Sequence, residues 1–441
     1  MQAPLIISPS GIRGHIGSSL TPAIALQVGL AFAHFCKQNT IIVGTDTRPS
    51  GVAYKAAVIS GLLSMGSDVI DVGQLPTPTL QHAIRHHGAA GGIMITASHN
   101  PAVWNGLKLM DSSGSFLDTD AYTAYQAAYA RTYTGVAWDK TGQLSQDTAA
   151  IQRHVDLIIS QIILPDLSNI SILVDANHGT GCLATPVLLD KLGVRYTLLQ
   201  SAADGLFSHP PEPLETHLGT IMRHMQSGDY SIGFVQDPDA DRLVIIDETG
   251  RYIGEEYTLG LCLDQVLRTA PAHQTIAVNL STSHMIDDIA GRYNARVIRT
   301  KIGETHVTAA LKNHKGLIGG EGNGGVIYTP VGWGRDSLTG IALILQGLAG
   351  RSVSAWQQTL PRYYVTKKTL SQEYAWSDLL ARLDALFPNY TRDITDGVKY
   401  TGDHAWIQVR QSNTEPIIRV FAEATTQAQA DSLVNQVLSG I

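Results

Sequence analysis

The chain has 441 residues, of which 44% are apolar and 16% are charged, and its formal net charge is −7. At about 150 residues per domain, this length predicts roughly three domains. The excess of acidic side chains argues against a general binder of nucleic acid or of anionic membranes. No apolar run approaches the roughly 18 residues of a membrane span. We therefore expect the protein to bind neither nucleic acid nor a membrane.

The N-terminal residues, MQAPLIISPSGIRG, lack the basic segment and the apolar stretch of a secretory signal. The cysteines Cys36, Cys182 and Cys262 are odd in number and far apart, which favours reduced packing residues over disulfides. Both observations predict a cytoplasmic protein.

One order of elements occurs three times along the chain. Each copy has an apolar strand, a segment of helical periodicity, a second strand and, later, a third strand that runs into a polar loop. This alternation predicts three similar mixed-sheet α/β domains with buried parallel strands. Because ligands bind beyond the carboxyl ends of such strands, the three polar loops are expected to face one cleft. The third strands and their loops read GGIMITASHNP, YSIGFVQDPDADR and KGLIGGEGNGG.

The C-terminal part follows a different pattern, in which antiparallel strands lie between two helices, and this predicts a small α+β domain. The predicted elements are a helix at Trp376–Leu386, strands near 397–400, 405–410 and 417–422, and a closing helix from Thr426. The predicted domains are residues 1–143, 144–250, 251–363 and 364–441, the first three α/β and the last α+β.

The segment QDPDADR places Asp237, Asp239 and Asp241 at alternate positions of one loop. Three carboxylates this close repel one another unless a cation lies between them, and their oxygens suit Mg²⁺. An EF-hand loop is an alternative, with Glu248 at its twelfth position, but Arg242 stands where that loop needs glycine and the flanks are strands. A solvated acidic turn is the other alternative.

The segment TASHNPAVWNGLKLM is predicted to be a loop that carries Ser98 at a strand end, with His99 and Lys108 beside it. A serine there can accept a phosphoryl group if a metal and cations neutralise the phosphate. The residues alone favour a structural role for Ser98, because a serine before His-Asn-Pro is more often a turn or cap residue.

Two further loops combine turn residues with polar side chains. In GGEGNGG, glycines let the backbone approach a ligand while Glu321 and Asn323 can bond sugar hydroxyls, although a plain glycine turn is equally open. In RQSNTEP, an arginine with hydroxyl and amide groups suits a phosphate dianion, and a helix cap is the alternative. The phosphate-loop residues are Arg410, Ser412, Asn413 and Thr414, with Arg419 nearby.

Taken in order, five motifs resemble the signature loops of the α-D-phosphohexomutase superfamily. That resemblance implies four domains around a central cleft and an enzyme that interconverts hexose 1-phosphates and 6-phosphates. It makes Ser98 the phosphoserine and a fourth ligand of Mg²⁺, together with the three aspartates. The motifs are SGIRG, TASHNP with NGLK, DPDADR, GEGNGG and RQSNTEP.

The resemblance also implies roles for the remaining polar residues. Arg13, His99 and Lys108 match catalytic positions near the transferring phosphate. The substrate-binding positions are Arg242, Glu321, Asn323, Arg410, Ser412, Asn413, Thr414 and Arg419.

The implied reaction passes the phosphoryl group from phospho-Ser98 to the sugar, gives a hexose 1,6-bisphosphate that turns end over end, and returns the other phosphate to Ser98. We therefore expect Mg²⁺, a hexose 1,6-bisphosphate activator, a small sugar phosphate as the partner, and a monomer or homodimer.

Three positions bear on the sugar. Family members that act on both mannose and glucose phosphates usually carry Ser at position 323 and His at 325 and 304, whereas this chain has Asn323, Gly325 and Glu304. The resemblance is closest to phosphoglucosamine mutases, in which Glu321 would meet a 2-amino group. A phosphomannomutase/phosphoglucomutase remains the alternative, and a Mg²⁺-dependent sugar phosphatase that uses Ser98 is a third.

Overall fold

The computed structural model describes residues 4–348, 350–371, 375–411 and 417–440. Ser412, Asn413 and Thr414 of the predicted phosphate loop lie outside these ranges. Within them the chain forms four β-sheets, in chain order, each with its own helices. None of the helices in these ranges has the length and apolar character needed to cross a membrane.

The first domain has a seven-stranded sheet in the order β1-β2-β6-β5-β3-β4-β7. Its strands are β1 (Ile6–Ser8), β2 (Gly11–His15), β3 (Ile41–Thr45), β4 (Val69–Gln74), β5 (Gly91–Ile95), β6 (Trp104–Asp111) and β7 (Leu144–Gln146). Its helices are α1 (Pro22–Phe35), α2 (Gly51–Ser64), α3 (Thr77–His86) and α4 (Thr119–Tyr129), followed by a short 3₁₀ helix at Trp138–Lys140.

The second domain has a four-stranded sheet in the order β11-β10-β8-β9. Its strands are β8 (Ser171–Asp175), β9 (Arg195–Leu199), β10 (Ile232–Gln236) and β11 (Leu243–Ile246). Its helices are α5 (Ala150–Gln161), α6 (Gly181–Lys191) and α7 (Gly219–Ser227), with a short 3₁₀ helix at Glu215–His217.

The third domain repeats this plan with the order β13-β12-β14-β15. Its strands are β12 (Thr275–Asn279), β13 (Arg296–Thr300), β14 (Ile318–Glu321) and β15 (Gly325–Tyr328). Its helices are α8 (Glu255–Thr269), α9 (Met285–Arg292), α10 (Glu304–His314), α11 (Ser337–Gly347) and α12 (Val353–Gln358).

The fourth domain has an antiparallel sheet in the order β16-β20-β19-β18-β17, and α14 packs across β16 and β20 while α13 contacts α14. Its strands are β16 (Tyr364–Ser371), β17 (Thr391–Asp393), β18 (Val398–Gly402), β19 (Ala405–Gln411) and β20 (Ile417–Ala424). Its helices are α13 (Trp376–Leu386), which has the predicted bounds, and α14 (Gln427–Gly440).

The first three domains share one arrangement of four strands. In each, a central strand has two parallel neighbours, and one neighbour turns back through a hairpin into an antiparallel strand. The turning strands β5, β10 and β14 are the third strands expected from the sequence. The predicted fold, three similar mixed-sheet α/β domains and a C-terminal α+β domain, is confirmed.

The structure differs from the sequence analysis at two segments. Residues 104–111, expected in a loop, form β6, which pairs with both β2 and β5 and is buried in the sheet except at its ends. A strand buried on both faces has no alternation of polar and apolar residues, so its signal is weak. Residues 144–146, assigned to the second domain, pair in parallel with β4 and so lie in the first sheet.

The apolar core is continuous across the second and third domains, where one cluster runs from Val155 through Leu259 to Leu360. The fourth domain has a separate cluster. Polar contacts join the two bodies, and they include Ser281 Oγ to Gln408 Oε1 at 2.6 Å, Lys399 Nζ to the Leu280 carbonyl at 2.6 Å, the His284 N–H to Glu423 Oε1 at 2.8 Å and the Ile302 N–H to Asp396 Oδ2 at 2.8 Å. All three cysteines are free and buried, as expected.

Candidate active site

The first two hairpins meet at Ser98, which follows β5. Its backbone has φ of 52°, in the left-handed region, and its side chain is buried. Ser98 Oγ donates to Asp237 Oδ2 of the second domain at 3.2 Å and lies 3.2 Å from His99 Nδ1. Few residues other than glycine adopt this backbone conformation, and those that do cluster at functional sites. The first two predicted loops therefore meet at the hydroxyl of Ser98.

The acidic loop between β10 and β11 forms a compact group of carboxylates. Asp237, Asp239 and Asp241 each offer an oxygen within 4.8 Å of the others, and all three are buried. Among the described residues, Asp239 Oδ1 and Asp241 Oδ1 have no hydrogen-bond partner. Buried anionic oxygens without partners are costly, so they fit a hard divalent cation such as Mg²⁺. The strands on either side exclude the EF-hand alternative.

The charges of the acidic loop are unevenly compensated. Burial and the two neighbouring carboxylates raise the pKa of Asp237 well above its usual value. Burial also acts on Asp241, but Arg335 and Lys108 outweigh it and lower its pKa. Asp237 therefore needs an added positive charge nearby in order to be ionised.

Lys108 lies on β6 and reaches the acidic loop from the first domain. Its Nζ donates to Asp239 Oδ2 at 2.6 Å and to Asp241 Oδ2 at 3.2 Å. Burial opposes its charge, but the two aspartates raise its pKa above the ordinary value. In this arrangement Lys108 holds its proton and offsets the carboxylates.

Two arginines and His99 surround the serine. Arg13 Nη1 donates to Asn100 Oδ1 at 3.2 Å, and Arg242 Nη2 lies 3.3 Å from His99 Nε2. Burial and Arg242 hold the pKa of His99 well below its usual value, so its ring is neutral. Since an arginine can only donate, Nε2 accepts and the ring proton lies on Nδ1, facing Ser98 Oγ. His99 is thus placed as a hydrogen-bond donor to the serine.

The turn between β14 and β15 forms the third predicted loop, which Arg335 connects to Asp241 of the acidic loop. Glu321 Oε1 accepts from Asn279 Nδ2 at 2.9 Å and from the Gly303 N–H at 3.1 Å. Glu321 Oε2 accepts from Arg335 Nη1 at 3.1 Å. Asn323 Oδ1 is buried and has no partner among the described residues. This amide oxygen is therefore an acceptor of the loop whose hydrogen bond is not yet made.

The fourth domain contributes two arginines. Arg410 on β19 and Arg419 on β20 are directly paired in the antiparallel register, which places both side chains on one face of the sheet. Arg410 Nη1 lies 3.7 Å from Asp396 Oδ1, and burial lowers the pKa of Arg410. Two adjacent guanidinium groups repel one another unless an anion lies nearby, so this face suits a phosphate.

Models of one protein family match the chain in four consecutive pieces. These are the models of phosphoglucomutase/phosphomannomutase α/β/α domain I at residues 6–134, domain II at 152–250, domain III at 255–364 and the C-terminal domain at 367–439. The chain belongs to this family of phosphohexomutases. The resemblance found in its loops is thereby confirmed.

Curated relatives and solved structures agree with this membership. A "phosphoglucomutase/phosphomannomutase" of Thermococcus kodakarensis is 37% identical over 433 residues, covering 95% of this chain and 94% of the relative. A "phosphoglucosamine/phosphogalactosamine mutase" of Sulfurisphaera tokodaii is 32% identical and covers 98% of each chain. A crystal structure of a phosphoglucomutase/phosphomannomutase family protein from Burkholderia thailandensis superposes with a TM-score of 0.86 at 26% identity, covering 99% of this chain and 97% of the other.

Sequence reasoning missed a buried arginine under the serine loop of this phosphohexomutase. Arg48 Nη2 donates to the carbonyl oxygens of Ser98 at 2.8 Å and of Asn100 at 2.6 Å, and Nη1 donates to two further carbonyls of the loop. Its Nε bonds Asp46 Oδ2 at 3.0 Å, and that oxygen also accepts from Thr96 Oγ1. Thr96 Oγ1 in turn accepts from the Ser98 N–H. The only signal was the segment TDTRPSG at the end of β3.

Sequence reasoning also missed Arg335, which follows β15. It contacts carboxylates from three segments of the phosphohexomutase, namely Asp241, Glu304 and Glu321. Burial opposes its charge, but these carboxylates raise its pKa well above the ordinary value. The segment GWGRDS gave no indication of this, because the three partners are brought together only by the fold.

Proposed function

We propose that this phosphohexomutase works through phospho-Ser98 and that glucosamine phosphate is its preferred substrate. The observation that carries the first part is the approach of Ser98 Oγ to 3.2 Å from Asp237 Oδ2, beside two carboxylate oxygens that have no hydrogen-bond partner in the described part of the chain. A serine used only as a turn residue has no need of a buried anionic cluster from another domain. This placement supports a phosphoryl carrier.

In the proposed cycle, the bond between Ser98 Oγ and phosphorus breaks as a new bond forms between phosphorus and the free hydroxyl oxygen of the bound hexose phosphate, and the proton of that hydroxyl ends on Ser98 Oγ. The resulting hexose 1,6-bisphosphate turns over, and its other phosphate returns to Ser98. Mg²⁺ held by Asp237, Asp239, Asp241 and the phosphoserine would offset negative charge on the transferring group. A small amount of the bisphosphate would also act as activator, because it can phosphorylate Ser98.

The chain's own cations have distinct places in this cycle. Lys108 bonds Asp239 and Arg242 contacts His99, so both are placed to add positive charge near a phosphoryl group on Ser98. His99, neutral and donating from Nδ1, is placed to orient Ser98 Oγ. Arg410 and Arg419 are proposed to hold the phosphate that does not react, with Ser412, Asn413 and Thr414. Because the acidic loop already binds Lys108, we assign this lysine to charge compensation first, and to proton transfer only after a ligand displaces that contact.

The sugar preference rests on the loop of Glu321 and Asn323. An ammonium at carbon 2 can form a charge-assisted hydrogen bond to Glu321 that a hydroxyl cannot match, a difference of roughly 1 to 2 kcal/mol. Curated relatives named as phosphoglucosamine mutases support this choice. We expect kcat/KM for glucosamine 6-phosphate to exceed that for mannose or glucose 6-phosphate by about tenfold, or roughly 1.4 kcal/mol.

A phosphomannomutase/phosphoglucomutase is the second candidate. One observation favours it: the contact between Glu321 Oε2 and Arg335 already offsets the charge of Glu321, which weakens its attraction for an ammonium group. The 37% identical relative named as a phosphoglucomutase/phosphomannomutase points the same way.

A coupled assay with glucosamine, glucose and mannose phosphates, run on wild-type protein and on Glu321→Gln, separates these candidates. If the amino group is recognised by Glu321, the substitution should bring the ratio of efficiencies close to one. Equal or higher wild-type efficiency with mannose phosphate would contradict the sugar choice and leave the mutase unaffected. Release of inorganic phosphate without isomer would indicate a phosphatase.

A further inference from the structure

Arg335 forms ion pairs with carboxylates from three segments of the site at once. Its Nη2 lies 2.7 Å from Asp241 Oδ2, its Nε lies 2.9 Å from Glu304 Oε2, and its Nη1 lies 3.1 Å from Glu321 Oε2. The side chain is 8% exposed. The guanidinium group therefore links the acidic loop of the second domain to the loop of Glu321 and Asn323 in the third domain.

Gly325 makes this position of Arg335 possible. A Cβ atom on Gly325 would lie 2.2 Å from Arg335 Cδ and 2.9 Å from Cγ, closer than such atoms approach in proteins. Any side chain at position 325 would thus displace the stem of the arginine. Two of the three positions at which this chain departs from the mannose and glucose pattern, Gly325 and Glu304, are therefore direct neighbours of Arg335.

We propose that Arg335 is a positioning residue that determines sugar specificity, with Gly325 providing its space and Glu304 its anchor. The proposal rests on the proposed function, since it concerns how the sugar is chosen. Arg335 holds Glu321 in place and cancels much of its charge toward the ligand. Through Asp241 it also fixes the acidic loop relative to the loop of Glu321 and Asn323. The distance between the reacting hydroxyl of the bound sugar and the phosphoserine is thereby held constant.

The chemistry of the guanidinium group explains why arginine stands here. It is planar and presents five N–H donors in a fixed fork, so it can bond three carboxylates from different directions. A lysine ammonium keeps the charge but is a single point at the end of a flexible stem. Removal of Arg335 would leave three buried carboxylates with less compensation and would return the negative charge of Glu321 to the sugar site.

The test measures sugar-phosphate binding without turnover, in protein that also carries Ser98→Ala. Calorimetry gives Kd for glucosamine 6-phosphate and for mannose 6-phosphate in three variants, Arg335→Met, Arg335→Lys and Gly325→Ala. With Arg335→Met, we expect the Kd for glucosamine 6-phosphate to fall about tenfold relative to the Kd for mannose 6-phosphate. Gly325→Ala should shift this ratio in the same direction, because it displaces the arginine while all charges remain.

Two further readouts separate positioning from a purely structural role. Arg335→Lys should recover most of the thermal midpoint that Arg335→Met loses, yet in protein with Ser98 intact its kcat should remain at least about tenfold below wild type. The control Gly291→Ala, at an exposed helix position with no atom near the added Cβ, should leave the Kd ratio and kcat unchanged and raise the midpoint slightly, because alanine favours the helix.

An unchanged Kd ratio in folded Gly325→Ala and Arg335→Lys protein would overturn the proposal, as would full recovery of kcat by lysine. If Arg335→Met does not fold, these two variants decide the matter. Failure of the proposed function has a different signature: wild-type protein would convert none of the hexose phosphates, and Ser98→Ala protein would bind none of them.

Discussion

The guanidinium group of Arg48 lies directly beneath Ser98 and donates from Nη2 to the Ser98 carbonyl oxygen at 2.8 Å. The same group holds three more carbonyls of the loop, and Asp46 balances its charge. Since Arg48 and Asp46 are both fully buried, the backbone of the serine loop rests on an internal ion pair rather than on apolar contacts. That support keeps Ser98 in its left-handed conformation.

Substitution of Arg48 should therefore be far more damaging than loss of a surface arginine. In Arg48→Met, Asp46 remains buried without its partner, and we expect the free energy of unfolding to fall by about 3 to 5 kcal/mol. The matched variant Arg392→Met removes a half-exposed pair with Asp384 and should cost less than about 1 kcal/mol. Denaturant unfolding of both proteins checks this. A similar loss in both would show that the serine loop does not depend on Arg48.

Ser98→Ala should abolish mutase turnover and leave the fold intact. The hydroxyl contacts only Asp237 and His99 among the described residues, so its removal disturbs little else. Intact-mass measurement should show one phosphate on wild-type protein and none on the variant. Ser145→Ala, at an exposed serine of the same domain, should keep both the phosphate and the activity. Near-normal turnover in Ser98→Ala would refute the assignment of the phosphoryl carrier.

Asp239→Asn should weaken metal binding and lower kcat by at least about 100-fold. Asp239 Oδ2 already accepts from Thr77 Oγ1 and Lys108 Nζ, so Oδ1, which has no partner among the residues that the structure describes, is the atom left for a cation. A titration of activity with Mg²⁺ after removal of divalent ions by a chelator measures the effect. Asp71→Asn, at a partly buried pair with Lys55 away from the acidic loop, is the control. Full wild-type activity in excess chelator would rule out a catalytic metal at this loop.

Arg410→Ala should act mainly on substrate affinity. A charge-assisted bidentate contact contributes about 1.5 to 3 kcal/mol, so affinity should weaken by roughly 10-fold to 150-fold with a smaller effect on kcat. Steady-state kinetics and calorimetry with a hexose phosphate measure the two effects separately. An unchanged affinity together with loss of phospho-Ser98 would show that this arginine acts at the transferring group instead.

His82 should make the protein less stable in acid. Burial, with His154 and Arg85 nearby, lowers the pKa of His82 to about 3. Between pH 6.5 and about 3, the unfolded chain binds a proton that the folded chain does not, so the free energy of unfolding falls as pH falls through this window. His82→Asn should reduce the slope of that free energy against pH by up to about one proton. An unchanged slope between pH 4 and 6 would contradict this, and the exposed His404→Asn serves as the control.

The parts of the site that the sequence predicted are those that lie in single loops. Ser98 and Asp237 each follow a strand and Glu321 ends one, and these topologically equivalent strands, predicted from their apolar runs, bring the three residues into one site. The same holds for α13, whose predicted bounds are those of the structure.

The parts that the sequence did not predict act through contacts between distant segments. Arg48 lies 50 residues before Ser98, and Arg335 lies 14 residues after Glu321. Nothing in the local pattern of either residue distinguishes it from a surface arginine. Lys108 was identified as a cation of the site but was placed in a loop, because β6 is buried on both sides and has no periodic pattern.

The polar contacts that join the third and fourth domains have a consequence for the rate of the reaction. Contacts such as Ser281 to Gln408 and Ile302 to Asp396 each contribute about 1 kcal/mol net, and the apolar clusters on the two sides are separate. Separation of the fourth domain therefore costs only a few kcal/mol, which corresponds to an open population of roughly 0.1–10%. Such motions take microseconds to milliseconds, so a turnover that requires the fourth domain to open cannot run faster than this movement.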